Sequence, residues 1–255
     1  TKYQQVANVG GMTSGWVGEK EARPKTESPT YEEIESYFGT VYAEPVVSEE
    51  SLDEIENLQL HIAEEGSEEI MDQESAAFTT GDGSKKARGF LDYPMSIKED
   101  KEREFGTLQK ILTGVDGDLP AEKPWLPFLL MQDALKEKYH SGAVYLVNRS
   151  TRTTMRAMTN QRGDLIWNES TTKGAPSTFF GYDVETDAHI PKIGAGSNAV
   201  SFGNFKRGYT VADLVGTTLK VDDVSIRGMI SYYIRKRVGG WVKNSEAIKI
   251  LSFSQ

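Results

Sequence analysis

Apolar residues recur at Leu52, Ile55, Leu58, Ile62, Ile70 and Ala77, mostly three or four apart, and Gly66 continues the same stripe. That spacing predicts an amphipathic helix. Ser48 and Ser51 are good N-caps, Glu49, Glu50, Asp53 and Glu54 load the first turn, and Ser51-Leu52-Asp53-Glu54 matches a capping box. Gly81-Asp82-Gly83 stops the run. About 28 residues at 1.5 Å rise would make a rod on the order of 40 Å long. The stripe is narrow and the rest is acidic, so one face packs, through Leu52, Ile55, Leu58 and Ile62, and the other stays wet.

Beyond a charged stretch at Lys98–Glu104 with little pattern, short elements alternate. Phe128–Tyr139 reads as a helix, Gly142–Val147 as a buried strand, and Ser150–Met158 as a helix capped by Ser150. Gly181–Val184 and Ala199–Phe205 read as strands, with Thr210–Val215 a further short element. Val224, Ile226, Ile230, Tyr232 and Ile234 alternate with Ser225, Arg227, Ser231, Tyr233 and Arg235, a period-2 strand interrupted at Gly228 and Met229. Gly239-Gly240 reads as a turn, and Ala247–Phe253 as a final strand. The class is α+β.

The first 45 residues lack a core pattern. Gly10, Gly11 and Gly15 cluster before Trp16, with β-branched and aromatic stretches near Tyr3–Val9 and Tyr31–Ala43 on either side. That is the layout of a long hairpin with a glycine-rich, charged tip. A two-stranded ribbon is marginal alone in water, so it leans on another surface.

Charge sharpens the picture. The 255 residues carry 29 Lys+Arg and 38 Asp+Glu, a net −9. From Ser28 to Glu74 there are fifteen acids and no Lys or Arg, whereas Gly203–Gln255 holds nine bases against four acids. Either these are solvated faces, or an acidic surface on one copy meets a basic one on another. The acidic balance argues against a dedicated phosphate binder. With no cysteine there is no disulfide, thiolate nucleophile or cysteine metal site, and His61, His140 and His189 have no zinc-type spacing. The start at Thr1, without a hydrophobic leader, reads as a processed or truncated end.

Candidate chemistry is thin. Gly81-Asp82-Gly83-Ser84-Lys85-Lys86 lacks phosphate-loop spacing and follows a helix, where carbonyls face a ligand. Asp116-Gly117-Asp118 lacks the calcium-loop register, and GxSxG is absent. A projecting hairpin, a long strut and segregated charge favour a self-assembling structural protein over an enzyme.

Four stretches, in order, resemble the major capsid proteins of tailed bacteriophages, the Hong Kong 97-type fold. Gly15-Trp16-Val17-Gly18-Glu19-Lys20-Glu21-Ala22-Arg23-Pro24 is similar to the family's extended loop, and Val46–Asp53 to the opening of its spine helix. Ala76–Gly83 with Ala87–Phe90 resembles the loop after that helix. Phe202–Tyr209 and Arg237–Gly240 to Glu246–Lys249 resemble the closing strands.

The resemblance implies an extended β-hairpin loop with its entering strand over 1–44. It implies a peripheral domain with the spine helix over 45–89 and 223–240, and an axial domain over 90–222 and 241–255. It implies a structural, non-enzymatic subunit without cofactor or metal. Such a subunit forms pentamers and hexamers of an icosahedral-type shell around double-stranded DNA, with Trp16, Glu19, Lys20 and Arg23 in contact between copies. Implied partners are further copies, a portal, a scaffold and protease, a decoration protein and DNA bound without sequence specificity, with no membrane. The implied location is the virion capsid, assembled in the bacterial host cytoplasm, of a phage, prophage or gene-transfer-agent-like particle. Some relatives crosslink subunits through a lysine, an asparagine and a glutamate. Those positions hold Arg23, Gly228 and Arg235 here, so the shell is expected to be non-covalent. The alternatives are the shell of a cargo-holding nanocompartment, which shares the fold, and an α+β hydrolase.

Overall fold

The computed structural model describes residues 5–8, 31–35, 37–160, 162–170 and 177–254. The chain divides into two units, Thr1–Ser36 and Tyr37–Gln255. In the first, β1 (Gln5–Asn8) pairs antiparallel with β2 (Tyr31–Ile34), Val6 opposite Glu33. The expected ribbon is thus present at its base. Its tip, with Trp16, Glu19, Lys20 and Arg23, lies outside the described residues.

The second unit opens with β3 (Phe38–Ala43) and β4 (Val46–Ser48), then α1 (Glu49–Glu54) and α2 (Leu58–Thr80). Ser48 caps α1, its hydroxyl accepting from Ser51 N at 3.2 Å. The rod expected from the stripe is broken: Ile55 is extended and Asn57 takes the left-handed conformation at φ 62° before α2 begins. Asn tolerates that region better than most residues, so the kink falls there. The 23 residues of α2 span about 35 Å. Gly81 ends it, donating to Ala77 O at 2.9 Å.

After a 3-10 turn at Phe90–Asp92 come β5 (Met95–Ser96), β6 (Leu108–Leu112), α3 (Leu126–Asp133) and α4 (Glu137–His140). The single helix expected over 128–139 is therefore two. Next are β7 (Val144–Val147) and α5 (Arg149–Arg156), capped by Asn148 rather than Ser150; the Asn148 side chain accepts from Ser150 N at 3.1 Å. Then follow β8 (Trp167–Asn168), β9 (Thr178–Phe179), β10 (Tyr182–Thr186), β11 (Val200–Gly203) and α6 (Phe205–Gly208). Two fourteen-residue strands, β12 (Tyr209–Asp222) and β13 (Met229–Val242), precede β14 (Ile248–Ser252).

Two sheets organise this unit. Eight strands in the order β5-β6-β14-β11-β7-β10-β9-β8 form the body, whose core includes Phe128, Met131, Tyr145, Phe179, Phe202 and Leu251. A smaller sheet runs β12-β13-β3, with β4 also on β13.

Several sequence readings change here. Val224–Gly228 is the hairpin turn rather than strand, and Val224 is 81% exposed. Thr210–Val215 is part of the long β12, which pairs with β13 along its length. Residues 209–222 therefore group with the smaller sheet, and not with the body as the 90–222 division had it. Gly239 and Gly240 do not turn the chain; both lie inside β13, in register with Ala212 and Val211. A β-carbon at Gly239 would come within 2.7 Å of Tyr37 O, and one at Gly240 within 3.0 Å of Phe78 Cδ1. Glycine is there so that neighbouring groups can close on the strand.

Candidate assembly surfaces

Along α2, Leu58 is half-buried, and Ile62, Gly66, Ile70 and Glu74 are buried, a ridge at spacing four. Its partner surface is β13 and β3. Gly66 sits over the Ile234 side chain, whose Cδ1 would have to shift to admit a β-carbon. Of the four packing residues read from sequence, Ile62 is buried at 8% exposure and Leu52 half-buried, whereas Ile55 at the kink is 50% exposed. The extended backbone at Ile55 takes it off the helical stripe. The ridge is completed instead by Glu74, whose Oε2 accepts from Lys236 Nζ at 2.8 Å. Burial opposes the Lys236 charge, yet Glu74 and Asp213 together hold its pKa above the ordinary lysine value.

Strand alternation puts Lys236 on the α2 side and Arg235 and Arg237 on the other. On that open face Arg235 stands opposite Tyr42 and Thr218, and Arg237 opposite Thr40 and Val215. Tyr42, 64% exposed, lies 6.0 Å from the Tyr233 ring. A cavity of about 150 Å³ is lined by Thr40, Val215, Arg235, Lys236 and Arg237. Arg235 Nε donates to Thr218 Oγ1 at 3.4 Å. Gly228, at φ 75°, ends the hairpin turn with open space around it. The turn is held by Asp222, which accepts from Val224 N at 3.0 Å and Ser225 N at 3.1 Å. Hydrogen bonds from the Ser225 hydroxyl and these amides lower the Asp222 pKa. Around it Val221, Val224, Ile226 and Met229 are exposed. The outer edge of β12 has no strand partner among the described residues. Long unprotected edges of this kind are templates for pairing with another chain.

A second constellation was invisible in the sequence. Lys249 of β14 is fully buried, and its Nζ donates to Asp100 Oδ1 at 2.5 Å and Gln109 Oε1 at 2.7 Å. Asp100 also pairs with Arg103, whose side chain is 2% exposed. Lys136 lies 3.8 Å from Asp100 Oδ2 and 2.5 Å from Glu246 Oε1. Burial pushes the Lys249 amine below its ordinary pKa, against the pull of Asp100.

Two of the three histidines serve as struts. His140 Nδ1 meets Tyr182 Oη at 2.6 Å and Nε2 meets Leu135 O at 2.9 Å. His189 Nε2 lies 3.2 Å from Asp72 Oδ1, and Thr79 Oγ1 donates to Asp187 Oδ2 at 2.5 Å, so α2 is tied twice to the segment after β10. His61 is exposed beside Glu64. Among the described residues no group of three or more metal-ligating side chains occurs, and no helix is long and apolar enough to cross a membrane.

A long helix laid on a narrow hairpin sheet, joined to a larger mixed sheet, leaves an unpartnered edge and charged faces suited to contact between chains. Comparison with known proteins agrees: a model of the phage capsid family matches residues 1–253, and the chain belongs to that family. It is a capsid shell protein, structural and not enzymatic. The capsid of a native gene transfer agent (GTA) particle superposes with a TM-score of 0.88 at 29% identity, over 100% of this chain and 86% of that one. The capsid of the empty GTA particle gives 0.86 at 29%, over 100% and 85%. The fold also matches Mycobacterium phage Adephagia, at TM-score 0.64 and 14% identity, over 100% and 85%. It matches the SrpI encapsulin of Synechococcus elongatus at 0.62 and 14%, over 89% and 78%. Comparison with curated proteins finds no match.

Proposed function

We propose that this chain assembles as pentamers and hexamers into a closed icosahedral-type shell around double-stranded DNA, in a phage, prophage or gene-transfer-agent-like particle. The observation that carries this reading is whole-chain similarity, at 29% identity and TM-score 0.88, to the capsid of a native GTA particle. The pairing of β1 with β2 supports it, because among the described residues these two strands have no third, and such a pair needs an external surface. That surface is a neighbouring copy, reached through Trp16, Glu19, Lys20 and Arg23. Heterologous contacts of this sort close into rings around symmetry axes.

In this reading the spine is α2, with Leu52, Leu58 and Ile62 contributing to its packing, and the shell is held without covalent crosslinks. A nucleophilic lysine is replaced by Arg23, whose guanidinium stays protonated, and Gly228 and Arg235 offer neither carboxamide nor carboxylate. A portal, a scaffold with its protease and a decoration protein complete the particle, built in the bacterial host cytoplasm. Nuclease treatment of native particles before extraction tests the content. Protected double-stranded DNA supports the proposal; a protein cargo without nucleic acid would make it a nanocompartment shell.

A further inference from the structure

The segment between β5 and β6, residues 97–107, joins two parallel strands without a helix. A crossover this short and irregular ordinarily floats on the surface. Here it is nailed down by two of its own charged side chains, Asp100 and Arg103, 7% and 2% exposed. Asp100 reaches inward to Lys249, which has no exposure at all, and Arg103 pairs with the same Asp100 carboxylate. Arg103 NH1 also donates to Thr107 O at 2.7 Å, bracing the loop from within. One buried polar atom, Arg103 Nε, is left without a hydrogen-bond partner.

Burying such a cluster is a poor route to stability. Desolvation offsets much of the attraction, and apolar side chains of similar volume usually do as well or better. What the cluster does supply is one fixed backbone shape. That shape presents Lys98, Glu99, Lys101, Glu102 and Glu104 to solvent, with Ile97 62% exposed beside them. The exposed signs run plus, minus, plus, minus, minus, so the surface matches a strip carrying both charges rather than an apolar patch or a phosphate backbone. The loop stands beside β5, the edge strand of the large sheet, where another chain can approach.

We propose that residues 97–107 form a preorganised docking element for a second copy of this chain, held in shape by the buried Asp100–Arg103–Lys249 cluster. This rests on the shell reading above. Fixing the loop before contact removes the ordering cost that a mobile loop would meet on association. The loop's mixed charge makes the contact sensitive to salt.

The test compares subunit stability with the concentration at which shells form. The surface variant Lys98→Glu with Lys101→Glu leaves the cluster untouched. It should keep the wild-type thermal midpoint and need at least about tenfold more subunit to assemble. The cluster variant Asp100→Leu with Arg103→Leu and Lys249→Met should keep or raise the midpoint, and show a similar assembly defect. If either folded variant assembles at the wild-type concentration, the proposal is overturned. Should the cluster variant fail to fold, the surface variant decides alone. If the wild-type chain itself forms no shells, the shell reading falls instead.

Discussion

Gly39 of β3 lies against the backbone of Lys86: a β-carbon at position 39 would stand 2.6 Å from Lys86 Cα. The loop after α2 is thereby clamped to the small sheet, and Arg88 N, two residues on, donates to Gly240 O at 3.0 Å. Backbone cannot swing aside as a side-chain tip can. Gly39→Ala should therefore lower subunit stability by about 1–3 kcal/mol, despite alanine's lower entropy loss on folding. Urea unfolding measures it; an unchanged midpoint would mean the loop yields freely.

Truncations along the helix should rank by burial. Ile62→Ala, at 8% exposure, should cost about 2–5 kcal/mol, Leu58→Ala less, and Ile55→Ala, half exposed at the kink, close to nothing. Thermal melts of the three isolated subunits check the order. A large loss at Ile55 with none at Ile62 would reverse the assignment of the ridge.

Alkaline pH should unfold the chain through its buried phenols. Burial raises the pKa of Tyr145 and Tyr209 well above the ordinary tyrosine value of 10.0. In the unfolded chain these groups ionise near that value, so the stability they contribute is intact below about pH 10 and declines as pH rises further. Tyr209→Phe removes the hydroxyl that donates to Arg88 O at 2.7 Å, costing about 1 kcal/mol at pH 8. The variant should nonetheless lose stability less steeply between pH 10 and pH 12 than wild type, as equilibrium melts across that range would register.

Much of the architecture was legible because its cues are local. Ser48, Gly81 and the body strands β7, β11 and β14 announce themselves through caps and short apolar runs. Reading failed where position depends on distant partners. β12 shows no clean alternation because most of its residues are exposed on both faces. Gly239 and Gly240 have the composition of a turn, and only the approach of Tyr37 and Phe78 explains them as strand. Lys98–Glu104 has no local pattern because Asp100 pairs with Lys249, about 150 residues further on, and Arg103 folds back onto Asp100. Glu74 was counted with the wet acids, yet it fills the ridge because Lys236 lies beneath it.

The proposed absence of a crosslink has its own readout. Boiling mature particles in detergent should release one band at the mass of a single subunit. A ladder of dimers to hexamers that survives the treatment would show a covalent bond that Arg23, Gly228 and Arg235 cannot form.

As proposed above, this chain builds a shell in which its N-terminal ribbon is seated on a neighbouring copy. Negative-stain imaging of the full chain beside a deletion of Gly11–Arg23 tests both parts in one measurement. Closed shells, or five- and six-membered rings, are expected for the full chain, and folded protein that closes no shell for the deletion. A full chain that stays a dispersed monomer, or a deletion that makes normal particles, would contradict it.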